Sequence, residues 1–323
     1  MHKQAAILFF TLALLLPSVS FAAAPSAPQT SVIAALRATL HSLLAELASL
    51  QRQLAASVAA SASDPPPASP AAPPLHARPT DSLYVTGGLG YDISFNTKAY
   101  PSIPFDFAVI GVSGGKAFVD NARLASEFSW SHFASRVRPT IYMNINAPYG
   151  STVAGHIGSP RTCPGVTDSS QAVAAANGEP SACEGYNYGY NAAKHAYAYA
   201  QANNVTAPLW WLDVEEANSW SATTTVNDAT IQGAIDYLNA QDVRVGIYSV
   251  PYMWRQIAGT DFAPTQTLNT RAESTPTWFP IGITREVTAL NACLTSDSFI
   301  TGSPVWIIQY ESSSTAVDQN ISC

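Results

Sequence analysis

Asp213 and Glu215 stand one residue apart at the end of "PLWWLDVEE" (208–216), in a chain whose charged residues amount to only 11%. So apolar a run reads as a strand, and the side chains of a strand alternate between its two faces. Asp213 and Glu215 then share one face at a separation of about 7 Å. Trp211 lies below them on that face, and Val214 and Glu216 point the other way. Two carboxyls held this close and partly buried repel each other, which raises at least one pKa. The neutral acid can protonate a leaving group and the ionised one can stabilise positive charge, as hydrolysis of a glycosidic bond requires. A single acid at a strand end often only caps the next helix or pairs with arginine. Two of them after so apolar a strand are costly to bury without a use.

Polar side chains end other strand-like runs as well. Asp92 lies in "GYDIS" (90–94), Tyr142, Asn144 and Asn146 share a face of "RPTIYMNIN" (138–146), and Tyr248 ends "VRVGIY". Gln309 lies in "SPVWIIQY" (303–310), and Asp318 follows it. Trp210, Trp211, Trp220, Tyr252, Trp254 and Trp278 are aromatics that could stack on sugar rings. Substrate contacts are therefore expected from Tyr142, Asn144, Tyr248, Trp211, Trp278 and Gln309.

These residues need a scaffold that gathers strand ends. Runs rich in β-branched and aromatic residues (107–113, 138–146, 207–215, 243–250, 275–282 and 303–310) alternate with helical patterns at 189–203 and 227–242, the second capped by Asn227 or Asp228. Such alternation predicts a parallel sheet buried on both faces. Residues 83–323 are about long enough for eight strand–helix units closed into a TIM-like (β/α) barrel, whose site lies at the strand C-termini. An open doubly wound sheet is the competing fold, and its glycine-loop fingerprint is missing.

Residues 1–24 read as an export signal: His2 and Lys3, the apolar run 5–16, and small residues at 20–22. The run is too short to span a bilayer, and no later segment could. Residues 28–60 carry Ile33, Leu36, Leu40, Leu43, Leu47, Leu50 and Leu54 at alternating steps of three and four, a coiled-coil seam through which the chain would self-associate. Residues 61–82 are rich in Pro, Ala and Ser and form a spacer. A secreted or cell-surface location follows. In that oxidising setting Cys163, Cys183, Cys293 and Cys323 read as disulfides. Of the three possible pairings, Cys163–Cys183 and Cys293–Cys323 are favoured, closing an insertion and pinning the terminus.

A net charge of −7 argues against a nucleic-acid partner. The histidines form neither H-x-x-x-H nor H-E-x-x-H, so no metal site is expected, and the glycine clusters at 87–90 and 114–115 are too short for phosphate loops. A serine nucleophile elbow is not expected either.

Four segments resemble, in order, the family 25 glycoside hydrolases, the lysozyme-type muramidases. "GYDIS" resembles their G-x-D-x-S opening and "PLWWLDVE" their P-hydrophobic-D-x-E strand. "VRVGIYSVPYMW" resembles their G-x-Y-(S/T) strand with a following Trp, and "VWIIQYESSSTAVDQN" their W-Q-Y…V-D-x-N segment. The stretch from Gly185 to Trp220 looks closer still to an exported bacterial branch related to that family. The resemblance implies a β/α barrel that cuts the β-1,4 bond between N-acetylmuramic acid and N-acetylglucosamine without a cofactor. It puts Glu215 on the general acid, Asp213 on the carboxylate facing the substrate acetamido group, and Asp92 and Asp318 on further active-site acids. "IYMNINAPYG" stands where the family has Y-H-F, residues 147–188 are an insertion, and "WIIQY" spaces Trp306 and Gln309 differently. The expected partner is peptidoglycan or a related polysaccharide. The alternative is a catalytically silent barrel that binds cell-wall glycan or assembles on the surface.

Overall fold

Short runs that alternate bulky apolar residues on both faces become strands only where both faces find cover. A computed structural model shows how they find it, and describes residues 81–102, 104–148, 156–164, 180–312 and 317–323. The expected signal segment, striped helix and most of the spacer lie outside these residues. The barrel strands are β1 (Leu89–Ile93), β2 (Phe107–Gly111), β3 (Thr140–Asn144), β4 (Leu209–Asp213), β5 (Arg244–Tyr248), β8 (Thr277–Ile283), β9 (Val305–Glu311) and β10 (Gln319–Ser322). They close in the order β1-β10-β9-β8-β5-β4-β3-β2. A two-stranded excursion, β6 (Gln266–Leu268) and β7 (Arg271–Glu273), precedes β8. The described helices are α1 (Leu124–Ser131), α2 (Ala182–Ala202), α3 (Thr224–Asn239), α4 (Pro251–Ala258) and α5 (Glu286–Thr295).

The barrel departs from eight parallel strand–helix units. Strand β10 runs antiparallel to both β9 and β1. Its connection from β9 covers only 312–318, whereas a parallel return needs a crossover of about a dozen residues or more. Among the described residues the β1–β2 connection carries no helix. Helix α3 starts one turn before the expected cap. Thr223 is its N-cap, and Asn227 lies buried within it, donating to the carbonyls of Ser221 and Ile257.

Alternation in β4 sorts the core into two layers. Trp210 and Leu212 face the helices with Ile110, Ile141 and Ile235. Leu209 and Trp211 face inward with Phe107, Trp278 and Trp306. Where an indole lies across the barrel interior, the neighbouring strand gives way. Gly246 pairs with Trp211, and a Cβ there would meet the indole at 2.3 Å. At the N-terminal mouth Trp211 Nε1 donates to the Tyr84 hydroxyl at 3.2 Å, and Tyr84 is hydrogen-bonded to Thr140 Oγ1 at 2.8 Å. The Arg244 guanidinium stacks over Trp306 at 4.4 Å and donates to Asp81. This floor leaves the C-terminal mouth for chemistry.

Two disulfides, Cys163–Cys183 and Cys293–Cys323, realise the favoured pairing. The first ties the insertion to the start of α2, where Ser181 and Glu184 form a capping box. The second fixes the chain end beyond β10 to α5. Among the described residues no helix is long and apolar enough to cross a membrane.

Candidate active site

Strand register builds the site. Asn144, Asp213, Tyr248 and Trp278 are successive cross-strand partners on β3, β4, β5 and β8, so they form one ring at the C-terminal mouth. Glu215 lies two residues past Asp213 on the same inward face, while Val214 is buried outward in the helix-facing core. Asp92 on β1 and Gln309 on β9 complete the wall, with Asp318 just ahead of β10. Above the ring opens a cavity of about 350 Å³, lined by Asp92, Tyr142, Asp213, Glu215, Tyr248, Trp278, Gln309 and Asp318 together with Ser94, Pro280 and Glu311.

Two relays hold Asp92. Tyr248 donates to Gln309 Oε1 at 2.8 Å, and Gln309 Nε2 donates to Asp92 Oδ2 at 2.9 Å. Trp278 Nε1 donates to Asn320 Oδ1 at 2.9 Å, and Asn320 Nδ2 donates to the same Asp92 oxygen at 2.7 Å. Each amide is fixed by an aromatic donor on one side and orients the carboxylate on the other. A third relay holds Asp213. Ser113 Oγ donates to Asn144 Oδ1 at 2.9 Å, and Asn144 Nδ2 donates to Asp213 Oδ2.

Every acid for which a shift is resolved here is pushed upward. Burial, then the charge of Asp318, raises Asp92 to about 7 against the opposing bonds from Gln309 and Asn320. Burial, then Glu215 and Asp92, lifts Asp213 well above the carboxylate range. Burial and Asp318 raise Glu215, whose hydrogen bond with Asp213 works against the shift. Burial and Glu311 raise Asp318. Asp213 and Glu215 thus form a hydrogen-bonded carboxyl pair in which burial favours the protonated form. Neither forms an ion pair with Arg, Lys or His among the described residues.

The other residues singled out from the sequence fall elsewhere. Trp211 is fully buried beneath the ring, and Asn144 stands behind Asp213, so neither lines the cavity. Trp210 and Trp254 are each 1% exposed and pack between barrel and helices, which removes them as sugar platforms. Trp220 donates to the Glu215 carbonyl at 2.7 Å, bracing the acid's backbone. Asn146 leaves the face of Tyr142 and Asn144 and donates to Tyr188.

Contrary to expectation, residues 111–115, "GVSGG", do match the G-x-S-x-G pattern of a nucleophile elbow. Ser113 is 4% exposed and spends its hydroxyl on Asn144, so its place is behind the carboxylate. Asn320 was within reach of sequence reasoning, because it closes the V-D-x-N segment in which only Asp318 was singled out.

A family model described as Lysozyme-like protein 1 matches residues 179–279, from the start of α2 into β8. Three solved structures are similar to the chain. The catalytic domain of endolysin ply40 from bacteriophage P40 of Listeria monocytogenes is 15% identical, with 73% of this chain and 92% of that one covered and a TM-score of 0.38. GHIP, a glycosyl hydrolase 25 of Streptococcus pneumoniae, is 15% identical over 73% and 86%, with a TM-score of 0.39. The spore cortex lytic enzyme SleM of Clostridium perfringens is 12% identical over 76% and 69%, with a TM-score of 0.44. No curated protein matches the chain. The chain is therefore lysozyme-like over residues 179–279, the stretch that carries Asp213, Glu215 and Tyr248.

Proposed function

We propose that this chain, lysozyme-like over residues 179–279, is an exported glycoside hydrolase that cleaves peptidoglycan or a related amino-sugar glycan by acid catalysis. Glu215 donates the proton to the glycosidic oxygen, Asp213 stabilises the positive charge that develops on the sugar, and Asp92 and Asp318 position the sugar or the attacking water. No cofactor enters, and water is the co-substrate. Residues 28–60 would assemble or tether the enzyme outside the cell. The observation that carries this reading is the Asp213–Glu215 pair, hydrogen-bonded to each other at the wall of an open cavity with both carboxyls pushed upward. Carboxyls so placed hold a proton more readily than exposed ones and can release it to a leaving group.

The test is incubation of the mature chain with purified peptidoglycan. New reducing ends are the expected result. Retention on the glycan with no reducing ends formed would overturn the hydrolase and leave the silent binding barrel.

Asn320→Ala tests the role of Asp92. Hydrogen bonds to an ionised carboxyl lower its pKa, so removing the Asn320 donor raises the Asp92 value further above about 7. The acidic limb of the activity profile should then move to higher pH, with a loss on the order of threefold to tenfold at pH 6 that shrinks toward pH 8. A uniform loss across the profile would mean that Asn320 is only structural.

A further inference from the structure

We propose that Trp220 is the positioning residue of the acid, its indole N–H fixing the turn that aims Glu215 at the glycosidic oxygen. This rests on the glycosidase reading and adds a residue to its machinery.

Strand register does not reach Glu215. The pairing of β4 with β3 and β5 ends at Asp213. One further bond, from the Val214 N–H to the Tyr248 carbonyl at 2.9 Å, carries the order one residue on. The chain then enters a turn, closed by the Asn218 N–H on the Glu215 carbonyl at 3.1 Å. Glu216 and Ala217 at its tip are exposed. A general acid must nevertheless meet its oxygen at hydrogen-bond distance, and small misplacements are costly. The indole supplies the restraint that strand pairing no longer gives. Trp220 Nε1 donates to the same Glu215 carbonyl at 2.7 Å, so that oxygen is held by two donors. The ring itself packs, partly buried, against the helix-facing core. A sugar platform would offer its face to the cavity, and Trp220 is not among the residues that line it.

The indole is held in turn from both sides along the chain. Asn227, 1% exposed within α3, accepts from the Ser221 N–H at 3.0 Å and donates to the Ser221 carbonyl at 3.0 Å, as a neighbouring strand would. The same amide nitrogen donates to the Ile257 carbonyl at the end of α4 at 2.8 Å. On the other side, the Ala147 N–H donates to the Ser219 carbonyl at 3.0 Å and ties it to the chain leaving β3. An asparagine is a poor residue for a helix interior, because its amide competes for backbone groups. Here that competition is put to use: the amide grips the residue beside Trp220. The restraint runs from α3 through Ser221 and Trp220 to the backbone of Glu215.

The test is Trp220→Phe in the full chain, assayed on solubilised peptidoglycan strands, with the folded fraction read by near-ultraviolet circular dichroism at the assay temperature. Phenylalanine keeps an aromatic ring in the core and removes the donor. kcat should fall about tenfold to a hundredfold, as expected for an acid displaced by up to about 1 Å. KM should stay within about twofold, because the interaction lost is not one with bound substrate. A kcat within about twofold of wild type overturns the inference. So does a rise in KM with kcat unchanged, which would return Trp220 to sugar stacking, and so does a loss that matches the unfolded fraction. If Trp220→Phe does not fold, the benzothiophene analogue of tryptophan, with sulfur in place of the N–H, takes position 220 and the same outcomes decide. A wild-type chain that frees no reducing ends would sink the hydrolase reading itself. An active wild type with an equally active variant would sink the role of Trp220 and leave the hydrolase standing.

Discussion

Glu215→Gln is expected to lower reducing-sugar release from peptidoglycan by about 10²–10⁴-fold, the range attributed to a positioned general acid. Glutamine keeps the size of the side chain and the oxygen that faces Asp213, but it cannot give up a proton to a leaving group. Folding should survive. The Glu215 pKa is raised in the native state by burial and by Asp318. A raised carboxyl contributes stability below its unfolded pKa and loses that contribution as pH rises through the folded value. At neutral pH the ionised side chain therefore opposes folding, so its neutral replacement should be harmless or slightly stabilising. Loss of activity with an unchanged or higher melting temperature is the signature. A variant that retains activity within tenfold of wild type would remove Glu215 from the role. Unfolding would be a surprise of another kind, because the side chain is only partly buried and among the described residues ties down no cation.

How far the site can be read in the sequence depends on which physical rule places each residue. Alternation along one strand is local, so the shared face of Asp213 and Glu215 was legible, as was the outward turn of Val214. Depth inside a closed barrel is not local. Trp211 and Trp278 are both inward-facing tryptophans, yet one lies in the packed floor and the other in the cavity wall. Register between β4, β5 and β8 decides that, and a bulge in β8 at Thr277/Trp278 shifts it. The partners of Asp92 show the same limit. Gln309 and Asn320 lie more than two hundred residues along the chain from Asp92, and only the antiparallel entry of β10 between β9 and β1 brings their amides to one oxygen. That reversal could have been inferred from the short connection at 312–318. The parallel expectation prevailed because every earlier barrel strand obeys it. The spacing of the cysteines was more informative, since in each favoured pair the bridge closes one short loop.

Gly189→Ala is expected to cost about 3 kcal/mol, the upper part of the range for forcing extra volume into a packed interior. Helices α2 and α3 meet through Gly185, Gly189 and Gly233. A Cβ at Gly189 would stand 1.8 Å from the carbonyl oxygen of Thr230, which is backbone and cannot rotate away. The two helices must separate to admit it. Helix propensity works the other way, since alanine in a helix interior is favoured over glycine by about 1 kcal/mol. The clash is expected to win because it falls on two rigid rods at their closest approach. Gly259→Ala serves as the control. That residue sits at φ 76° and ψ −164° with nothing within 4 Å of the place a methyl group would take, so only backbone strain, about 1–3 kcal/mol, should be felt. Denaturant unfolding of the two variants measures the difference. If Gly189→Ala proved as stable as wild type, the helices would have to be less closely seated than this approach implies. The effect should reach the chemistry as well. Strand β4 lies between α2 and α3 in the chain and packs its outward residues Trp210 and Leu212 against the helical layer. Moving that layer therefore tilts the strand end that carries Asp213 and Glu215, and any Gly189→Ala protein that folds should lose activity out of proportion to its unfolded fraction.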